Sequence, residues 1–459
     1  MGAVFSSDMV SATKEIDPIG VQYTEEIRDS ETVQSTASND TEQCEKQEQW
    51  SELPSLPLEN IYSFLRREDQ VNMSLVCRSW SEEYGSPSVW KTFRFDLTES
   101  QLSLDTCPVM KFAQRYSSMF RHVEIETPLF SITNDLMRNF CRYVIQFLQI
   151  LSKNTQIISI QFHSFSVCLI HMRNPPYNEI CRAIADFLSS QQYLKRVEFH
   201  YCFFRYQETV EILRNIIDNS RETLTHLKLR GFSFEESMKI FKDSNVAQKL
   251  PMLADLPRLK TLDMDYSFIF ENMVARQHDA ISIQRAKNCQ TLVLSKLILE
   301  YDNRLQQINK LRGLTSTDWW FIRKKCPYLQ VELILRMDEP SRREREFFIV
   351  PNMPITRLDY KCGEFVMGME SNVLLGHLLA CKTNDNLVTL HFDWGEFNHH
   401  PEEQTQHLSP IFVPFLQACK NLKCLELLTY SLTARILAGK STRISRESAN
   451  RYFIPTQRQ

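Results

Sequence analysis

One short apolar pattern recurs along most of this chain: an apolar residue, two others, a second apolar residue, one other, and a third. It reads Phe120/Val123/Ile125, Ile157/Ile160/Phe162, Leu194/Val197/Phe199, Leu224/Leu227/Leu229 and Leu259/Leu262/Met264. It continues as Cys289/Leu292/Leu294, Ile355/Leu358/Tyr360, Leu387/Leu390/Phe392 and Leu422/Leu425/Leu427. The starts are 37, 37, 30, 35, 30, 66, 32 and 35 residues apart, and the double-length gap holds CPYLQVELIL, a copy with one residue missing. A single copy describes an ordinary buried strand. Nine in series describe an array in which each unit covers the apolar face of the next.

Between the copies the apolar period changes to that of a helix. Leu136, Phe140, Val144, Phe147 and Leu151 recur at spacings of three or four, as do Ile180, Ile184, Phe187 and Leu188, and then Val210, Leu213 and Ile217. A short strand followed by a helix at this period is the leucine-rich-repeat signature in a long, irregular form. The expected fold class is therefore α/β, an irregular leucine-rich-repeat solenoid over 119–432 with a parallel sheet on its concave face. The Asn that usually satisfies the loop after the strand is replaced, as in LKLRGFSF and LELLTYSL.

The flanks differ in composition. Residues 1–48 hold eleven Asp/Glu, three Lys/Arg and eleven Ser/Thr, too little apolar surface to offset the entropy of ordering, and read as a disordered acidic tail. Its first residues, MGAVFS, fit an N-myristoylation site with Gly2 as acceptor, an acyl chain that would anchor weakly alone. Residues 433–459 carry six Lys/Arg and one acid and read as a solvated basic tail.

Composition excludes several functions. A net charge of −3 over 459 residues gives no electrostatic case for nucleic acid as partner. With ten glycines and no G-x-x-x-x-G-K, G-x-G-x-x-G or G-x-S-x-G, loops that cradle phosphate and a nucleophile elbow lack their raw material. Thirteen cysteines stand singly without a C-x-x-C pair, which suits a reducing compartment, cytoplasmic or nuclear. No window approaches the length of an apolar membrane span. The loop HFDWGEFNHHPEEQTQH gathers His391, His399, His400 and His407 but lacks a fixed ligand spacing, so no metal site is expected. Neither a cofactor nor a catalytic residue is expected.

Between the acidic tail and the array lies LPSLPLENIYSFLRREDQVNMSLVCRSWSEEYGSPSVW. Leu58, Ile61, Phe64 and Leu65 form a helical stripe, Asp69 suits the cap of a second helix, Val71, Leu75 and Val76 continue on it, Cys77 and Trp80 begin another, and Ser86-Pro87 suits the start of a fourth. Pro57 predicts a first helix that begins a turn late. Such a module, over 50–92, is too small to bury its own core. The ordered landmarks resemble an F-box, and with the array behind them the architecture is similar to F-box proteins of the leucine-rich-repeat kind. A helical linker is expected over 93–118.

That resemblance implies a non-catalytic substrate receptor: the F-box docks on a Skp-type adaptor, which joins a cullin scaffold and a RING subunit in a ubiquitin ligase, and the repeats hold a protein substrate for ubiquitination and proteasomal degradation. The adaptor-facing residues it implies here are Leu53, Pro54, Leu58, Ile61, Leu65, Leu75, Val76, Cys77, Trp80 and Trp90. A leucine-rich-repeat scaffold that binds the adaptor outside any ligase is the alternative. Alternation along the strands assigns the substrate surface to outward positions, Glu198, His200, Lys228, Arg230, Asp263, Asp265, Asp359, Lys361, His391 and Asp393.

Overall fold

Three short helices lie at the start of the second unit, α1 (Ser55–Phe64), α2 (Arg67–Ser74) and α3 (Arg78–Tyr84). Pro57 does not delay α1. It occupies the first turn, where the backbone N–H groups have no intrahelical acceptor and a missing donor costs nothing. Asp69 likewise lies inside α2 and is not its cap, and Pro87–Trp90 is a turn, not a fourth helix. The computed structural model describes residues 50–65, 67–104, 107–127, 133–169, 176–233, 253, 256–273, 293–337, 342–362, 367–394, 411–429 and 451–453. The acidic tail with Gly2, the loop histidines His399, His400 and His407, and most of the basic C-terminal segment lie outside them. Two units are distinguished, Met1–Pro54 and Ser55–Gln459.

After the helices comes a strand. β1 (Thr92–Asp96) is followed by helix α4 (Pro108–Tyr116), β2 (His122–Glu126), α5 (Asn134–Leu151), β3 (Ser159–His163), α6 (Pro176–Ser190), β4 (Arg196–His200), α7 (Tyr206–Ser220) and β5 (His226–Arg230). Then come β6 (Thr261–Asp265), β7 (Lys296–Asp302), α8 (Ser316–Lys325), β8 (Gln330–Met337), α9 (Arg342–Phe348), β9 (Ile355–Cys362), α10 (Met367–Ala380), β10 (Thr389–Trp394), α11 (Phe412–Ala418) and β11 (Cys424–Thr429). All these strands lie in one sheet in sequence order, each parallel to the next, and β12 (Arg451–Phe453) closes the far edge antiparallel to β11. The basic C-terminal segment thus includes a strand where a solvated tail is expected.

This is an α/β solenoid, and its register explains the sequence pattern. The central apolar residues stand opposite one another strand after strand, Phe93 on Val123, Val123 on Ile160, Ile160 on Val197, Val197 on Leu227 and Leu227 on Leu262. All are buried, and each fully buried aliphatic side chain stabilises by roughly 1.5–3 kcal/mol. Phe95 stacks on Phe147 of α5 with ring centroids 4.3 Å apart, which places the helices on this face of the sheet. α5 packs on α6, and α6 on α7.

Three expectations are corrected by this register. Trp90, Phe93 and Phe95 have the same spacing as the later copies and are all buried, so the array begins inside the segment expected as a helical linker. The copy expected at Cys289/Leu292/Leu294 is Leu294/Leu297/Leu299, around β7; Cys289 and Leu292 lie outside the described residues. The shortened copy is resolved as a bulge. Val331 and Leu333 of β8 stand opposite Leu297 and Leu299 on one side, but opposite Ile355 and Leu358, one residue further apart, on the other.

Among the described turns that lack the usual Asn, those after β3 and β4 satisfy their backbone by extending the ladder. Ser164 N donates to His200 O, Tyr201 N to Arg230 O and Phe203 N to Gly231 O, at 2.7 to 2.8 Å. Ser164, Tyr201, Phe203 and Gly231 adopt positive φ there. At Gly231 the left-handed backbone brings the chain so close to Tyr201 that a Cβ would sit 2.8 Å from its ring.

Candidate functional site: an apolar helical face and a charge-paired sheet

The helical module is built around Tyr62. Its hydroxyl donates to the carbonyl of Trp80 at 2.7 Å, its own carbonyl accepts from Gln70 Nε2 at 2.7 Å, and its ring lies 5.9 Å from that of Tyr84. One residue, through its side chain and its own carbonyl, thereby ties these three helices, and burial, with Tyr84 beside it, pushes its hydroxyl pKa up to about 12. Leu58, one turn earlier on α1, is fully buried with it. The opposite side of α1 is bare: Leu56 is 73% exposed, Phe64 87% and Ile61 37%. The turn between α2 and α3 adds Leu75 and Val76, 78% and 63% exposed, and Val71 precedes them on α2. For so small a module this is much apolar surface to leave in water, and each of these side chains would gain by being covered.

The ten residues expected to face an adaptor therefore separate. Ile61, Leu75 and Val76 are exposed, Leu65, Cys77 and Trp80 are half-buried, and in the first unit Leu53 is half-buried and Pro54 exposed. Leu58 and Trp90 are not available at the surface. Trp90 heads the first repeat copy, donates from Nε1 to the carbonyl of Tyr84 at 2.6 Å, and packs against Phe112 and Tyr116 with centroids 4.4 and 5.5 Å away. Leu56 is an exposed residue that the stripe reading missed, and Phe64 and Val71, which belong to the stripe but not to the expected adaptor-facing set, are exposed with it. On α1 the apolar residues form two stripes, and periodicity alone does not say which turns inward.

The charged face of the sheet also departs from expectation. Glu198, Asp263, Asp265, Asp359 and Asp393 are buried, and His200, Lys228, Arg230, Lys361 and His391 are half-buried, so none of the ten stands free in solvent. Parallel strands in register set side chains on one face only about 4.8 Å apart, and long basic side chains lie across the short acids of the next strand. Arg230 binds Asp263 at 2.7 Å and Glu300 at 2.9 Å, and Arg336 binds Glu300 at 3.1 Å. Lys228 approaches Asp263 at 3.8 Å, Arg357 binds Asp359 at 2.9 Å and Lys361 binds Asp393 at 2.8 Å. Arg196 pairs with Glu198, which also meets His200 at 3.3 Å and His226 at 3.2 Å. The acids lie underneath and the basic ends above them.

Two carboxyls respond in opposite directions. At Glu198 burial opposes ionisation, yet hydrogen bonds from His200 and His226 and the charge of Arg196 overcome it and hold the carboxyl far below its ordinary range. At Asp265 burial dominates, Glu300 adds repulsion, and the pKa rises to about 8 despite the 2.8 Å hydrogen bond its carboxylate accepts from Gly231 N. Between its ordinary value near 3.8 and about 8, the folded chain keeps this proton while the unfolded chain has released it. Stability therefore falls as pH rises through that window. Glu198 acts conversely, stabilising above the ordinary carboxylate range and losing that contribution as pH drops. Asp265→Asn, which keeps an acceptor for Gly231, is expected to raise the thermal midpoint near pH 8 by on the order of a few degrees and to change it little near pH 4. Thermal denaturation across that range measures it.

Among the described residues no group of His, Cys, Asp and Glu is arranged to hold a metal, and no helix is long and apolar enough to cross a membrane. Against known proteins, the F-box domain model matches residues 50–82. The chain is also similar to the "F-box/LRR-repeat protein 21" of Bos taurus and of Mus musculus, 35% identical to each over 54 residues. That likeness covers 12% of this chain and 12% of the length of either relative.

Proposed function

We propose that the chain is the non-catalytic substrate-recognition subunit of a Skp-cullin-F-box ubiquitin ligase, working in the cytoplasm or nucleus. The observation that carries this reading is the bare apolar surface of Leu56, Ile61, Phe64, Leu75 and Val76 on a module that matches the F-box domain. A few buried apolar anchors supply most of the energy of such an association. Docked there, the adaptor would link the chain to the cullin and RING subunits. The repeats would hold a protein substrate against the charge-paired face, through the outward ends of Arg196, His200 and Lys361 rather than the acids beneath them. The contribution to catalysis is positional, since holding a substrate lysine near a charged conjugating enzyme makes the transfer effectively unimolecular.

Affinity purification of the full chain tests this. Adaptor, cullin and RING subunit are expected to come down together and to be lost on deleting residues 50–82, a cut that spares Trp90. Recovery of the adaptor without cullin would instead favour a scaffold that acts outside any ligase. Proximity labelling with the proteasome blocked, comparing the same two proteins, is expected to mark the substrate with both, since the repeats are intact in each, and to find it ubiquitinated more with the full chain.

A further inference from the structure

The fold leaves one aromatic and basic cluster unexplained, on α8 and the turn after it. This helix is well made: Thr315 and Asp318 form a reciprocal capping box, and Trp319 and Ile322 face the core. Its other side carries Trp320 and Phe321, 50% and 45% exposed with rings 4.9 Å apart, and Tyr328 in the following turn is 84% exposed. Arg323, Lys324 and Lys325 fill the last turn. Lys324 lies over the Trp320 ring at 5.5 Å. Cations at a helix C-terminus favour the helix dipole, which accounts for the charges. It does not account for three exposed aromatic rings beside them.

We propose that this cluster rests on the surface of an anionic phospholipid bilayer. Trp and Tyr place an apolar body and a polar edge at the headgroup level, while Lys and Arg reach anionic headgroups. The rings and the arginine would also suit a protein interface, but three adjacent cations in one helical turn are complementary to the continuous anionic surface that bilayer headgroups present. Three cations and three rings form a peripheral contact, reversible and sensitive to salt. The proposal is independent of adaptor docking, which uses a different surface.

Flotation of the purified full chain with phosphatidylcholine vesicles, with and without phosphatidylserine, tests it. A Gly2→Ala background removes any acyl chain from the result. Binding is expected only with phosphatidylserine, to weaken as salt rises, and to fall about fivefold for each cation removed. Arg323→Ser with Lys324→Ser, and separately Trp320→Ser with Phe321→Ser, are each expected to reduce flotation while leaving the circular dichroism spectrum and adaptor binding unchanged. Absence of phosphatidylserine-dependent flotation, or flotation that neither double variant alters, would overturn the proposal. Loss of a protein partner in the same variants, without flotation of the parent, would assign the cluster to a protein contact instead.

Discussion

Replacing Phe64 and Leu75 together by Asp is expected to lower affinity for a Skp-type adaptor by about a hundredfold or more, while the thermal midpoint stays nearly unchanged. Both side chains project into solvent from the helical module, so the folded chain loses little by exchanging them. A bound adaptor would lose two apolar anchors and have to desolvate two carboxylates, and single anchors at the centre of such interfaces commonly contribute about 2 kcal/mol or more. Calorimetric titration of the purified adaptor into each protein measures the first quantity, and a thermal melt the second. A double variant that binds like the parent would place the docking surface elsewhere and remove the main support for a ligase subunit.

Trp90→Ala is expected to do the reverse, destabilising the chain by about 3–5 kcal/mol. Removing this indole leaves a cavity bounded by Tyr84, Phe112 and Tyr116 and deletes the hydrogen bond donated to the carbonyl of Tyr84. The damage falls where the helical module meets the first repeat, so cleavage by a protease near residues 84–92 should appear along with a lower urea midpoint. If Trp90 were an adaptor contact, the variant would unfold like the parent and bind weakly, so the two roles give opposite patterns in the same pair of measurements.

Much of the fold is legible in the chain because a stacked array repeats the same physical requirement. Each strand has to bury its alternate residues, and the spacing survives even where Leu becomes Phe, Met or Val. The same rule, extended one copy upstream, reads Trp90/Phe93/Phe95 as the first strand and separates Trp90 from the F-box landmarks around it. The frame at Leu294/Leu297/Leu299 was equally available, but Cys289 and Leu292 satisfy the spacing too, and spacing cannot choose between overlapping frames. What alternation does not convey is the state of the outward residues. Whether Glu198 is solvated or buried depends on Arg196, His200 and His226, two of them on its own strand and one on the next, and on a strand-to-strand register that no single segment contains. The inner and outer sides of α1 pose the same difficulty, since Leu56 and Leu58 are equally apolar and only the position of Tyr62 decides which is covered.

The register of charges across the sheet limits how this array can change. Lys228 stands between Glu198 and Asp263, each directly opposite it on a neighbouring strand. Excising the period that contains β5 would restore the apolar stacking but set the two carboxylates face to face, where like charges repel. Solenoids with interchangeable modules can grow or shrink by whole periods. Here adjacent members are matched to one another, and their order is as much a requirement of stability as their hydrophobicity.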